Sequence, residues 1–268
     1  MTRLGSFSLL LLLAACAHNQ LSASELNQVE RPAFIARIEE NAGPHSTVFR
    51  EDSSYSEKLK KLDPKEADRR LADKLTNGLR DPKSGQRIIN PITRFEIADS
   101  LRAETLSHLS KTPPWSQVVN PADVASVLES FLVDEVPANA PDYDRLKPLG
   151  ADAIVELVVE DFGMRSENGR AGLVLAGYAR LFFVKGGEVY YRRFVSDEVK
   201  AGLDHLDPFL VAKNPTLFRT RLRAMIAVIG KQLALDLSPS DRAPAPKTTT
   251  PAPEAPAKTP VPTEEDPL

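Results

Sequence analysis

The clearest pattern in the chain is a period of two between residues 151 and 195. Ala153, Val155, Leu157 and Val159 take alternate positions in Ala151–Phe162, and a second long alternating run covers Leu173–Val184. Lys185-Gly186-Gly187-Glu188 then predicts a two-residue hairpin turn flanked by opposite charges, returning the chain as a strand over Val189–Val195. Upstream, Phe34, Ala36 and Ile38 share one face of a first strand over Ala33–Ile38, and Trp115–Val119 reads as a short strand. Elsewhere the period is helical. Ala67, Leu71 and Leu75 follow an Asp63-Pro64 start, and Phe95, Ala98, Leu101, Thr105 and Leu109 mark the buried face of a helix over Thr93–Leu109. Val124, Val127, Leu128 and Phe131 follow the Asn120-Pro121 cap. Phe218, Leu222, Met225, Ile229 and Leu233 stripe a long helix from Asn214-Pro215 to Leu237. A short helical piece over Asp142–Leu149 ends at Gly150, which suits the left-handed position after a helix.

This order predicts an α/β (α+β) fold: a two-layer sandwich whose mixed sheet of about five strands carries helices on one face. The expected organisation is a leader over residues 1–15, a stalk over 16–31, and one domain over 32–237. That domain contains a helical insertion at about 39–86. The last stretch, 238–268, holds nine of the 22 prolines among Ala, Thr, Lys and Glu. It buries too little apolar surface to offset its ordering entropy, so it is expected to be a disordered, partly polyproline II tail.

The amino terminus is patterned differently. Arg3 precedes an apolar run over Leu4–Leu13, and Leu13-Ala14-Ala15-Cys16 closes it with small residues and the only cysteine. The apolar run is far shorter than the ~20 residues that span a hydrocarbon core. A plain signal peptide would leave a free thiol at the cleavage point. The sequence resembles the lipobox of bacterial lipoproteins, which implies cleavage before Cys16, diacylglyceryl transfer to its thiol and acylation of the new amino terminus. Two or more acyl chains anchor a protein stably. Ala17 follows the cysteine where inner-membrane retention would place aspartate. The expected address is therefore the outer membrane, facing the periplasm, or the cell membrane of an organism that has one.

Composition narrows the chemistry. The net charge of −3 and pI near 5.9 argue against nucleic acid as a partner. No G-x-S-x-G, H-E-x-x-H or phosphate-loop motif occurs, so no catalytic residue, cofactor or metal ligand is assigned. Gly169, Gly172 and Gly177 read as a turn and a close backbone contact. Asp204-His205-Leu206-Asp207 is the one compact acid–imidazole cluster, and its plain reading is a polar loop before Pro208. Arg219 and Arg223 share a face of the last helix and are expected to pair with acidic neighbours. Glu156 and Glu160 are about 13 Å apart along one strand, beyond the spacing of a glycosidase pair.

The hairpin supplies the candidate site. With Gly186-Gly187 as its turn, Val184 faces Val189, Phe182 faces Tyr191 and Arg180 faces Arg193. Leu173, Leu175, Ala179, Leu181 and Phe183 form a core face. Tyr178, Arg180, Phe182, Tyr191 and Arg193 occupy the other, joined from the preceding strand by Glu156 and Glu160. Facing arginines require carboxylates between them or an anionic partner. Tyrosine and arginine also dominate protein interfaces. The open readings are a partner-binding surface, a solvated face with a Glu–Arg network, and a face covered by the 39–86 insertion.

Leu149-Gly150-Ala151-Asp152-Ala153-Ile154, the hairpin after it, and Phe218-Arg219-Thr220-Arg221-Leu222 resemble the periplasmic module shared by the TolB amino-terminal domain and the curli-secretion lipoprotein. The resemblance covers about Phe95–Leu237. The insertion departs from it, and with no pore-forming segment evident, channel formation is not carried over. It implies a non-enzymatic envelope component acting in assembly, tethering or accessory binding through an envelope protein partner. The competing expectation is a membrane-anchored hydrolase of cell-wall or surface polymers.

Overall fold

A computed structural model describes residues 21–134, 143–203 and 205–239. The leader, Cys16, Asp204 and the tail from residue 240 lie outside the described residues. Along the chain the elements are α1 (Ala23–Leu26), β1 (Pro32–Ile38), β2 (His45–Ser46), α2 (Val48–Glu51), α3 (Ser53–Ser56) and α4 (Pro64–Leu75). There follow β3 (Leu79–Arg80), β4 (Arg87–Ile89), α5 (Arg94–His108) and α6 (Pro121–Asp134). The last set is β5 (Ala153–Glu167), β6 (Arg170–Phe183), β7 (Glu188–Asp197), α7 (Pro208–Lys213) and α8 (Thr216–Asp236). The main sheet has five strands in the order β1-β5-β6-β7, with β2 pairing β5 beyond the end of β1. β1 and β2 run parallel to β5, and the other pairs are antiparallel, so the sheet is mixed and the fold is α+β. β3 and β4 form a separate small antiparallel pair.

Helices form because their ends are satisfied and their stripes are apolar. Asp63 accepts from the N–H groups of Lys65 and Glu66 at the start of α4, with Pro64 in the first turn. Thr93 does the same for α5 through Glu96 N. α5 and α8 cover the front face of the sheet, where Ile97 and Leu101 meet Phe218, Leu222 and Leu233 over Phe34, Val155, Leu157 and Leu181. Gly230 lets the two helices approach closely; a Cβ there would sit 2.7 Å from Glu104 Cβ and 3.0 Å from Thr105 N. The 39–86 insertion extends this same front layer. Val48, Phe49, Ala67, Leu71 and Leu75 join the core around Phe162, Met164 and Leu173. Asp68 of α4 is buried and accepts from Ser46 Oγ (2.6 Å), Phe49 N and Arg50 N, so it caps α2 from outside.

A second, smaller apolar cluster lies on the back face. Ala33, Ile35 and Ile154 pack there against Val124 and Leu128 of α6 and Leu146 of the 3₁₀ turn Tyr143–Leu149.

Several expectations change. Trp115–Gln117 is a 3₁₀ turn rather than a strand; Trp115 is buried edge-on against Phe34, with ring centroids 5.9 Å apart. Phe95 is 63% exposed, because the buried stripe of α5 runs through Ile97, Ala98, Leu101 and Thr105 and leaves Phe95 beside it. β5 and β6 are longer than the alternation marks, running to Glu167 and from Arg170. Their hairpin turns through Asn168 and Gly169, both at positive φ. Gly169 and Gly177 play the parts expected of them: Gly169 forms the turn, and a Cβ on Gly177 would meet Val158 O at 1.9 Å.

Candidate functional site

The back face is built by residues of four strands. β5 pairs antiparallel with β6, placing Glu156 opposite Arg180 and Val158 opposite Tyr178, while β1 brings Arg37 opposite Val158. The β6–β7 register differs from that expected. Gly186 N bonds Phe183 O (2.8 Å) and Phe183 N bonds Gly187 O (3.1 Å), so three residues, Val184 to Gly186, make the loop. That offset alone would turn Tyr191 and Arg193 to the front. A bulge restores them: Phe182 pairs Glu188, Leu181 pairs Tyr190, and Val189 is the extra residue. Arg180 therefore faces Tyr191 and Tyr178 faces Arg193, in place of the expected Arg180–Arg193 and Phe182–Tyr191 pairs.

All six predicted site residues nonetheless share the back face, and Glu156 is its anchor. Its side chain has no exposed surface. Arg37 Nε approaches Oε1 at 2.8 Å and Arg180 Nε approaches Oε2 at 2.5 Å. The Tyr143 hydroxyl donates to Oε1, and Arg37 Nη2 donates to the Tyr178 hydroxyl at 2.9 Å. Burial pushes the Glu156 carboxyl upward, but Tyr143 and the two guanidinium groups outweigh it and hold the group below the usual carboxylate range. The same environment raises Tyr143 and Tyr178, chiefly through burial. Sequence reasoning missed Arg37 and Tyr143. Arg37 sits where the β1 alternation points it away from the core, and only the parallel β1–β5 pairing brings it to Glu156.

Phe182 joins this network to the apolar end of the back face. Arg180 lies over its ring at 5.0 Å and Tyr143 packs against it at 5.2 Å. Towards β7 the face opens. Tyr178 and Tyr191 stack at 5.6 Å, both half-buried, and the exposed Arg193 pairs with Glu160. Among the described residues, the buried apolar side chains of the insertion belong to the front core. The two arginines of the sequence argument are each held by a carboxylate, Arg180 by Glu156 and Arg193 by Glu160.

The other polar candidates have structural partners. His205 Nδ1 accepts from Ala171 N at 3.1 Å and stacks on Tyr55, and Asp207 caps α7 through Phe209 N. Burial, with the nearby charges of Asp207 and Asp52, pushes the Tyr55 hydroxyl up to about 12. Arg219, expected to pair with an acid, is buried and donates to the Asn90 carbonyl instead; Arg223 does reach Glu96 at 3.2 Å. Among the described residues no three His, Cys, Asp or Glu side chains converge on a metal position, and no helix is long and apolar enough to cross a membrane.

No protein-family model and no curated protein matches the chain. Among solved structures, it is similar to the hypothetical protein CT253 from Chlamydia trachomatis. The identity is 10%, with 78% of this chain and 98% of that one covered at a TM-score of 0.24.

Proposed function

We propose that this protein is a lipid-anchored component of the cell envelope that works by binding rather than by catalysis. In this reading Cys16 carries the lipid, the outer membrane holds it, and the domain faces the periplasm. The open part of the back face is its contact surface for an envelope protein. One observation carries the surface assignment: the half-buried Tyr178–Tyr191 stack and Arg193 stand on a rigid sheet, supported from below by the Glu156 network. Aromatic and arginine side chains that are already ordered lose little freedom on binding.

The test uses full-length protein in intact cells, with a photo-crosslinking residue at Tyr191 and, as a control, at Lys74 on the front layer. A partner captured from Tyr191, absent from Lys74, and lost with Arg193→Glu is the expected result. Equal capture from both positions, or capture unaffected by Arg193→Glu in a folded protein, would overturn the assignment. The anchor is tested separately: the mass of the mature protein should show acylation that disappears in Cys16→Ser.

A further inference from the structure

We propose that the tail of this chain is a ligand of its own back face. The segment Pro253-Glu254-Ala255-Pro256 docks in cis across the Tyr178–Tyr191 stack and Val195, and a partner must displace it. This deepens the contact surface assigned above and rests on that face being the one a partner uses.

The open part of the back face offers two apolar spots. One is the Tyr178–Tyr191 stack, its rings 5.6 Å apart and 28° from parallel. The other is Val195, 66% exposed, with half-buried Ala176 directly opposite it on β6. The stack lies between the Arg180–Tyr191 and Tyr178–Arg193 pairs, and the Ala176–Val195 pair comes next. At ~3.3 Å per residue, the middle of the stack and Val195 are about 10 Å apart. Between them Arg193 and Glu160 neutralise each other, so the floor asks for no charge in its ligand. In the other direction the apolar ground ends at Arg180, which is tied to Glu156.

A polyproline II segment repeats every three residues, or ~9 Å. Aromatic-lined surfaces recognise it because it is extended before it binds and loses little freedom. Two prolines three residues apart therefore present one ring to each spot. Pro253-Glu254-Ala255-Pro256 is the one P-x-x-P in the whole chain. Docked in this form, it turns Glu254 and Ala255 to the other two sides of the three-fold helix.

The point where the chain leaves the domain favours this occupant over a separate molecule. α8 ends at Asp236, whose carboxylate pairs with Arg192, and Leu237 after it is buried. Arg192 stands in β7 between Tyr191 and Arg193, and β7 is last in the order of the main sheet among the described residues. The chain therefore leaves the front layer directly behind the tyrosine stack, with one strand to round. Pro253 follows Leu237 by 16 residues. At ~3.1 Å per residue that gives about 50 Å of reach, against roughly 20 Å from the helix layer to the back-face side chains. A tether of this size sets an effective concentration of ~1 mM, so an affinity of only ~0.1 mM fills the face in about nine molecules of ten.

The experiment uses purified full-length protein in detergent, with a photo-crosslinking residue at Ala257 beside the motif. The expected product is an intramolecular link to the β6 or β7 peptides that carry Tyr178, Tyr191 and Val195. Pro253→Ala combined with Pro256→Ala should reduce it at least about fivefold, and Val195→Asp should do the same, with unchanged circular dichroism. Links to the front layer, to residues 135–142, or between copies in a mixture of isotope-labelled and unlabelled protein would overturn the proposal. So would a back-face link that the proline substitutions leave unchanged. In cells, the double proline substitution should raise partner capture from Tyr191 by up to about tenfold, the ratio set by the occupancy above. Capture that stays the same would overturn the displacement. The two readings fail separately. A back-face link with no partner captured from Tyr191, with or without the substitutions, defeats the partner and leaves the docking standing; capture without the link defeats the docking alone.

Discussion

The two faces of one sheet solve burial by opposite means. On the front, Val155, Leu157 and Val159 of β5 join one apolar cluster with residues of α5, α8 and the insertion. On the back, the interleaved positions of the same strand include Glu156, which is as fully buried as Leu157 but is surrounded by two arginines and two tyrosines. A dry face is held by area and packing density, and many substitutions of similar volume serve it. A charged face is held by geometry, because each group is tolerable only while its partners stay in place. The front therefore specifies stability, and the back fixes the orientation of the side chains that reach solvent.

Substitutions sharpen the contrast. Glu156→Ala leaves Arg37 and Arg180 without their counter-charge, and chemical denaturation should show a loss of about 3–5 kcal/mol. Leu157→Ala, its neighbour on the front, should cost about 2–5 kcal/mol through lost transfer energy and an unfilled cavity. The pair separates on pH. The Glu156 carboxyl titrates lower in the folded protein than in the unfolded chain, where it protonates near ~4.3. Its contribution is thus complete above that value and is lost as pH falls through the folded one. Stability curves of Leu157→Ala should keep this acid limb, and those of Glu156→Gln should flatten it. If both variants follow one pH profile, the two faces are not held differently. At the open end of the back face the stabilising effects shrink. Arg193→Glu removes a half-exposed pair with Glu160 and should change stability by no more than ~1 kcal/mol. His205→Ala removes the acceptor of Ala171 N and the ring stacked on Tyr55, and thermal melts should shift by a few degrees.

Much of the fold was legible because it obeys short periods. Asp63-Pro64, Thr93 and Asn120-Pro121 start helices where local chemistry puts them, and the alternation in 153–159 and 173–183 locates two central strands. The misreadings share a cause. Trp115–Val119 alternates weakly but serves to lay Trp115 on Phe34, and Phe95 falls just beside a stripe that only the position of α8 defines. The hairpin shows the limit most clearly. Its turn is three residues long where two were expected, yet the face assignment survived, because the bulge at Val189 restored the parity of the strand. Tyr178, Arg180, Phe182, Tyr191 and Arg193 were therefore grouped correctly by alternation, while their neighbours were not.

By itself, the sequence determined which positions are apolar, where helices begin, and which side chains of each strand lie together, since these depend on contacts a few residues apart. Tertiary structure alone decided that Arg37 and Tyr143, 119 and 13 residues from Glu156, close around its carboxylate. It also decided that the insertion's apolar side chains join the front core and that β7 stands last in the order of the main sheet among the described residues. Those outcomes depend on strand order and on which layer each segment joins, and no local spacing encodes either.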